Sequence, residues 1–221
     1  MTAVDVVGVD IGGTKIAAGV VDDRGTVLRR ATCPTPSAGV LDAVAALVGR
    51  LTERPGPVGV AAPGVIDLAS GSVRSATDTL PGWVGTPVRA ELEARLGVPV
   101  RVDNDVRAMA RGEAWAGAGR DHADALYVSV GTGIGGALHR GGEVVRGPHA
   151  LAGEIAHLLV PVPAGFDGVC GCGRADHLEA AASGPAIERA YRHRTGRRSG
   201  LREIAASMRA GDEEAAAVIT A

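Results

Sequence analysis

Two glycine-rich segments, each adjoining runs of β-forming residues, constrain the fold of this chain most. The first, Asp10-Ile-Gly-Gly-Thr-Lys15, joins the runs Val4–Val9 and Ile16–Val21, and the second, Gly131-Thr-Gly-Ile-Gly-Gly136, follows the run Ala123–Val130. The second segment fits the dinucleotide pattern GxGxxG, but a Rossmann loop opens a helix, whereas a short strand and a Gly-Gly turn follow here. We therefore predict two β-hairpins, one opening each half of an α/β chain, which together hold a nucleoside triphosphate.

The tips of these hairpins carry residue types that bind phosphate. Backbone N–H groups in a glycine turn form an anion-binding nest, to which Thr14 adds a hydroxyl and Lys15, the only lysine of the chain, a positive charge. Asp10, at the end of its strand, is expected to hold Mg²⁺ through water. The candidate phosphate-binding residues are Asp10, Gly12, Gly13, Thr14, Lys15, Gly131, Thr132 and Gly133. Plain hairpin turns are the alternative.

The segment Asp103-Asn104-Asp105 lies where a predicted strand, Val98–Val102, gives way to a predicted helix, Val106–Ala118. In open α/β sheets, ligands bind at the carboxyl ends of the strands. Asp105 is therefore expected at a helix N-terminus beside a ligand crevice, with Asn104 next to it. The alternative is a simple helix cap, since Asn and Asp are favoured at that position.

The spacing of apolar residues along the rest of the sequence predicts the other helices and strands of an α/β chain. Helices are expected over residues 40–51, 87–96, 183–194, 201–209 and 213–221, and strands over 26–32 and 58–62, with a hairpin over 65–76 and short strands at 143–145 and up to 160. This order predicts a first domain of residues 1–119 and a second of residues 120–221. Trp83, in a polar loop, either walls a small-molecule pocket or pins that loop.

Two cysteines and two histidines in the second half have the spacing of a zinc site. Cys170 and Cys172 are followed by His177, and His157 lies upstream. Thiolate sulfur and imidazole nitrogen are the usual donors to tetrahedral Zn²⁺ in structural sites. These four residues are the candidate metal ligands, and the alternative is two inert thiols with two surface histidines.

Composition argues against several classes of protein. The formal net charge is −2 over 221 residues, and no basic stripe suggests nucleic-acid binding. No apolar run reaches the ~18 residues of a membrane span, no secretory signal peptide is recognisable, and three cysteines do not make a disulfide framework. We expect a cytoplasmic protein without nucleic-acid or membrane partners.

Seven motifs, in order along the chain, carry a resemblance to a known family. They are Asp10-Ile-Gly-Gly-Thr-Lys15, Ala62-Pro-Gly64, Leu80-Pro-Gly-Trp83, Asn104-Asp105, Gly131-Thr-Gly-Ile-Gly-Gly136, Gly153-Glu154-Ile-Ala-His157 and Cys170-Gly-Cys172-Gly173. In this order they resemble the ROK family of bacterial sugar kinases and sugar-responsive repressors. The resemblance implies an α/β chain with the actin/hexokinase-like (ribonuclease H-like) fold, in which two domains flank a cleft.

The resemblance also implies a reaction and roles for residues. The reaction is the ATP- and Mg²⁺-dependent phosphorylation of a hexose at its 6-hydroxyl, with glucose as the first candidate. Asp105 resembles the general base, and Asn104, Glu154, His157 and Glu179 resemble the residues that hold the sugar. The two glycine hairpins would face the ATP phosphates. The alternatives are an N-acetylmannosamine or N-acetylglucosamine kinase, and a sugar-binding regulatory protein without catalysis.

Four departures from the family pattern change what is expected. Thr79 or Asp78 stands where the family has an Asn before Leu80-Pro-Gly-Trp83, so a sugar contact is expected to change. His177 stands where the third cysteine of the family's zinc loop belongs, and Ala156 replaces the second glycine of its GExGH motif. Family members extend beyond residue 221, so the second domain is expected to be shortened and to lack its adenosine-binding part. Because Asp10 lies near the start of the sequence, we do not expect the helix-turn-helix of the family's repressors. The resemblance further implies a homodimer.

Overall fold

Ten strands and seven helices follow one another in the part of the chain that the structure describes. The structure is a computed structural model and describes residues 5–77, 80–162, 166 and 168–220. Asp78 and Thr79, where a sugar contact is expected to change, lie outside these described residues. The strands are β1 (Asp5–Ile11), β2 (Lys15–Val21), β3 (Val27–Pro34), β4 (Pro55–Ala62), β5 (Val65–Asp67), β6 (Ser72–Ser75), β7 (Val100–Asn104), β8 (Ala125–Val130), β9 (Ile134–Arg140) and β10 (Glu143–Val144). The helices are α1 (Val40–Leu51), α2 (Val88–Leu96), α3 (Asp105–Ala116), α4 (Leu178–Ala182), α5 (Gly184–Thr195), α6 (Leu201–Arg209) and α7 (Glu213–Ile219). None of these described helices combines the length and apolarity that crossing a membrane requires.

The first seven strands build a five-stranded sheet in the order β3-β2-β1-β4-β7 and a separate hairpin of β5 and β6. β1 pairs antiparallel with β2 and parallel with β4, and β4 pairs parallel with β7. Along this sheet Ala61 lies beside both Asp10 and Asp103, and Ala62 lies beside Asn104. The ends of β1 and β7 that carry predicted site residues therefore meet at one edge of the sheet, as parallel strands require.

The period-two alternation of β1 buries one face of the sheet. Val7, Val9 and Ile11 are buried, whereas Asp10 between them is exposed. Helix α1 covers this face with Leu47 and Val48, which belong to the same apolar cluster. Burying a side chain of this size contributes roughly 1.5–3 kcal/mol, so apolar packing fixes the strands that carry the site.

Trp83 is part of this core. Its side chain is 4% exposed, packs in the same cluster as Leu80, and donates from Nε1 to the carbonyl oxygen of Pro63 at 3.1 Å. A buried indole commonly finds such a partner for its N–H. Of the two roles left open for Trp83, pinning the loop to the fold is the one these contacts favour.

The chain divides into two packed units, each made of two stretches of sequence. Unit 1 comprises Met1–Ala125 and Leu138–Ala152, and unit 2 comprises Leu126–Ala137 and Gly153–Ala221. The domain boundary expected between residues 119 and 120 stays a prediction.

Beyond the first seven strands, the described part of the chain forms a three-stranded sheet and a cluster of helices. The last three strands are ordered β10-β9-β8. In unit 2, α5, α6 and α7 pack against one another around Tyr191, Ile204 and Val218, which are all buried. Ser183 begins α5 by accepting a hydrogen bond from the Ala186 N–H, and Gly196 ends it in the left-handed conformation.

Two elements of unit 2 differ from the sequence prediction. Instead of the strand expected up to Val160, a 3₁₀ turn spans Ile155–His157, and Leu159 forms a single bridge with His177. Gly153, at φ +90°, turns the chain immediately before this segment and breaks the extended conformation. Helix α4 was not predicted, because a helix of five residues is too short to show a 3.6-residue periodicity.

Candidate functional site

The first glycine hairpin is closed and braced by backbone contacts. The Gly12 N–H donates to the carbonyl oxygen of Lys15 at 3.0 Å, which closes the tip between β1 and β2. Thr35 supports the tip from the end of β3, since its hydroxyl donates to the Gly12 carbonyl at 2.6 Å and its N–H to the Thr14 carbonyl at 3.0 Å. Thr35 is not among the predicted site residues, because no local pattern in the sequence marks it.

Asp10 lies at the base of the same hairpin, with its side chain partly open to solvent. Partial burial raises the pKa of Asp10 above its ordinary value, and the charge of Lys15 offsets part of that rise. A carboxylate in this position is available to a hydrated cation, which is how proteins commonly hold Mg²⁺.

Asn104, rather than Asp105, caps helix α3. Its Oδ1 accepts hydrogen bonds from the N–H groups of Val106 at 3.1 Å and Arg107 at 3.2 Å. Its Nδ2 donates to the carbonyl oxygen of Gly64, after β4, at 3.1 Å. Asn104 is therefore the N-cap that the sequence left as an alternative role for this segment, and Asp105 is the first residue of the helix. The predicted contact of Asn104 with a sugar stays a prediction.

The Asp105 carboxylate is held in place and its acidity is reduced. Its Oδ1 accepts from the Val106 N–H at 2.9 Å and from Asn104 Nδ2 at 2.8 Å. Burial raises the pKa of Asp105, the negative charge of Asp10 raises it further, and these hydrogen bonds offset only part of the rise. A carboxylate with a raised pKa is a stronger base, so this one is suited to accept a proton from a hydroxyl.

The second glycine hairpin is followed by β9, a strand, as predicted. The Gly131 N–H donates to the Gly133 carbonyl at 2.9 Å, and the Gly131 carbonyl accepts from the Gly184 N–H at 2.8 Å. A Cβ atom on Gly184 would lie 2.8 Å from that same carbonyl oxygen, so glycine permits the approach. The N-terminus of the 12-residue helix α5 thus lies against the hairpin, which favours anion binding. The sequence pattern marked residues 183–185 only as the start of a helix, not as a neighbour of the hairpin.

Glu179 connects this hairpin to the cysteine loop. Its carboxylate accepts from the N–H groups of Ile134 and Gly171, both at 3.1 Å, and from the Cys170 thiol at 3.2 Å. Burial raises the pKa of Glu179, but these hydrogen bonds outweigh it and leave the pKa below its ordinary value. A Cβ atom on Gly133 would lie 2.7 Å from the Glu179 carboxylate. The sugar-binding role of Glu179 stays a prediction.

A close contact between two glycine backbones places the segment of Glu154. A Cβ atom on Gly153 would lie 2.8 Å from the carbonyl oxygen of Gly136, and one on Gly136 would lie 2.5 Å from that of Gly153. Gly153 also has φ +90°, which L-residues rarely adopt. Glu154, half-buried, follows directly and leads into the 3₁₀ turn, and its predicted contact with a sugar stays untested.

The four candidate metal ligands lie together in unit 2. The ligand atoms of His157, Cys170, Cys172 and His177 are all within 4.8 Å of one another. The Nδ1 atoms of the two histidines are 3.1 Å apart, Cys172 Sγ is 3.2 Å from Nδ1 of His177, and Cys170 Sγ is 3.7 Å from Nδ1 of His157. Ligand atoms about 2.0–2.3 Å from a tetrahedral Zn²⁺ are roughly 3.3–3.8 Å apart, so the donor types match zinc and these three distances lie close to that spacing.

The protonation of Cys170 links metal binding to pH. Burial raises the pKa of Cys170 to about 12, and the neighbouring Glu179 carboxylate contributes to the rise. A thiol binds metal as thiolate, so a metal ion must displace its proton, and affinity increases with pH.

The motifs and the fold agree with a known family. The ROK family model matches residues 6–221 of the chain. The chain belongs to the ROK family. The resemblance carried by the seven motifs is thereby confirmed.

Relatives of this chain in sequence include two kinds of sugar kinase. The glucokinase of Streptomyces coelicolor is 38% identical over 192 residues, which cover 85% of this ROK chain and 59% of that protein. The N-acetyl-D-glucosamine kinase of Salmonella heidelberg is 37% identical over 221 residues, covering 94% of this chain and 72% of that protein. The chain thus spans less than two thirds of the Streptomyces glucokinase.

Solved ROK structures share the fold. The ROK family glucokinase from Streptomyces griseus, in complex with glucose and AMPPNP, superimposes with a TM-score of 0.84 at 34% identity, covering 97% of this chain and 74% of that one. The chain therefore has the actin/hexokinase-like fold that the motifs implied.

Proposed function

We propose that the protein to which this chain belongs phosphorylates a hexose at its 6-hydroxyl with ATP, glucose being the first candidate. One observation carries the proposal: Asp105, a carboxylate with a raised pKa, begins α3 at the sheet edge where Asp10 and the first glycine hairpin also lie. The named kinases among the ROK relatives support it.

Each part of the site has a task in this reaction. Phosphoryl transfer passes through a loose transition state, so positioning and charge neutralisation supply most of the catalysis. We assign the ATP phosphates to the two glycine hairpins and Mg²⁺ to Asp10. Asp105 would take the proton of the attacking hydroxyl, for which it needs to lie within about 3 Å of that oxygen. Asn104, Glu154, His157 and Glu179 are assigned to the sugar hydroxyls.

We assign a structural Zn²⁺ to His157, Cys170, Cys172 and His177, whose donor types match it and whose ligand atoms lie close together. The contacts of His157 within this cluster involve Nδ1, so Nε2 is the nitrogen we assign to the sugar. The ion would supply a cross-link between the cysteine loop and the 3₁₀ turn that contains His157.

The test is sugar-dependent release of ADP by the chain as written, across glucose, mannose and the N-acetyl hexosamines. Asp105→Ala should lower turnover by about 10²–10⁴-fold, the usual contribution of a positioned base, while leaving sugar binding within a few fold. The exposed Asp23→Ala, in the β2–β3 turn, is the matched control and should retain wild-type turnover. An Asp105→Ala variant that keeps more than a few per cent of turnover would refute its role.

The same assay separates the second candidate, an N-acetylhexosamine kinase, which the Salmonella relative favours. A chain that binds a sugar but releases no ADP would instead be a sugar-binding module. A cytoplasmic location and a homodimer are also proposed, the latter to be checked by sedimentation.

A further inference from the structure

Arg107 is a buried cation two residues beyond Asp105. Its side chain is only 1% exposed and ranks among the largest fully buried side chains of the described chain. Its Nη2 donates to the carbonyl oxygens of Ala150 at 2.6 Å and Ala152 at 3.2 Å. An apolar residue of similar volume would fill this place without the cost of desolvating a guanidinium. The two carbonyl contacts are interactions that such an apolar residue could not make.

The contacted segment, residues 146–152, has an unfavourable backbone conformation. Ala150 has φ +58°, the positive φ found for a residue other than glycine within the described chain. Such conformations persist where surrounding contacts fix them. The segment is also bonded internally, from the Ala152 N–H to the Arg146 carbonyl at 3.0 Å. Arg107 thus contacts this segment at Ala150, the residue with the unfavourable φ angle.

The other end of the segment is held by Asp103. Arg146 donates from Nη1 to Asp103 Oδ1 at 3.0 Å and from Nη2 to Asp103 Oδ2. The side chains of Asp103 and Arg146 are 15% and 20% exposed, so solvent screens this pair little. Asp103 and Arg107 flank Asp105 by two residues on either side, and both hold the same segment.

Only Gly153 separates this segment from Glu154. We propose that Arg107 is a positioning residue for sugar binding: by fixing Ala150 and Ala152, it fixes the backbone from which Gly153 and Glu154 continue. This inference rests on the proposed function, in which Glu154 holds a sugar hydroxyl.

Arg107→Met tests this inference, because methionine keeps an extended apolar side chain and loses both hydrogen bonds. We expect the sugar KM to rise about tenfold and the ATP KM to stay within about twofold, since loss of a positioning contact acts on one substrate. Arg107→Lys keeps a single charged donor without the planar fork and should lie between the two. Arg101→Met, at an exposed arginine on β7, is the matched control.

Hydrogen exchange supplies a readout that does not need turnover. Peptides covering residues 146–157 should exchange faster in Arg107→Met, while those covering residues 58–62 of the core strand β4 should exchange as in the wild type. A purely structural role would instead accelerate exchange in both and raise both KM values. If Arg107→Met does not fold, Arg107→Lys carries the same comparison.

These experiments separate failure of the proposed function from failure of the inference about Arg107. A wild-type chain that neither turns over nor binds any sugar, measured by calorimetry, overturns the proposed function and this inference with it. If the wild-type chain binds a sugar, an Arg107→Met variant that keeps the sugar KM within twofold overturns this inference alone, whether or not exchange of residues 146–157 changes. For a wild-type chain that binds without turnover, the sugar Kd from calorimetry takes the place of the KM.

Discussion

At the scale of the residue, the ionisation of Asp105 affects both the proposed catalysis and the stability of the fold. Its pKa is raised by burial and by the charge of Asp10. Below the pKa of the unfolded chain, about 3.9, Asp105 is protonated in both states and its full contribution to stability is present. As pH rises through the higher pKa of the folded chain, Asp105 must ionise where the charge is disfavoured, and that contribution to the free energy of unfolding is lost. At neutral pH the ionised Asp105, which we propose as the catalytic base, therefore lowers the stability of the fold.

Asp105→Asn should consequently stabilise the chain at neutral pH. The amide can still accept the Val106 N–H, and the charge beside Asp10 is removed. We expect a rise of about 2–4 °C in the unfolding temperature at pH 7, which corresponds to roughly 1 kcal/mol for a chain of this size, and little difference below about pH 4. Thermal melts across pH check this, and an Asn variant that melts lower at pH 7 would count against a raised pKa.

At the scale of the element, close backbone approach decides where the Glu154 segment lies. Gly153 and Gly136 each occupy space that a Cβ atom on the other residue would need. The contact links the turn after residue 152 to strand β9, which continues from the tip of the second glycine hairpin. The glycine pattern that suggested phosphate binding therefore also serves packing.

Gly153→Ala should destabilise the chain by about 1–3 kcal/mol, since it forces an L-residue into φ +90° and a Cβ into the Gly136 carbonyl. Gly211→Ala is the matched control, because Gly211 has φ +92° and no atom within 4 Å of its Cβ position. The difference between the two variants in denaturant unfolding isolates the contact. Equal losses would show that the φ angle alone matters.

At the scale of the whole molecule, the four candidate zinc ligands and the tryptophans lie in different units. The candidate ligands are in unit 2, whereas both tryptophans of the chain, Trp83 and Trp115, are in unit 1. Far-ultraviolet circular dichroism includes the helices of unit 2, and tryptophan emission reports unit 1. The two signals therefore distinguish local from general effects.

Removing zinc with a chelator should lower the circular-dichroism unfolding temperature by about 5 °C or more, because a structural metal contributes directly to folding. The tryptophan emission spectrum of the folded chain should not change. His177→Ala should reproduce the shift without chelator. A melting curve that neither treatment moves would contradict a structural zinc ion.

The amino-acid sequence by itself determined the strand–glycine–strand hairpins, the junction at Asn104 and Asp105, and the set of possible metal ligands. These follow from local rules: apolar period, turn residues and helix-start residues act within a few positions of one another. Only the tertiary structure decided that the amide of the capping residue Asn104 also donates to Gly64, that Thr35 braces Gly12 from 23 residues away, and that Glu179 reaches Ile134 across 45. Arg107 likewise meets Ala150 across 43 residues. Such pairs depend on how packed elements bring distant backbone together, and no local periodicity records that.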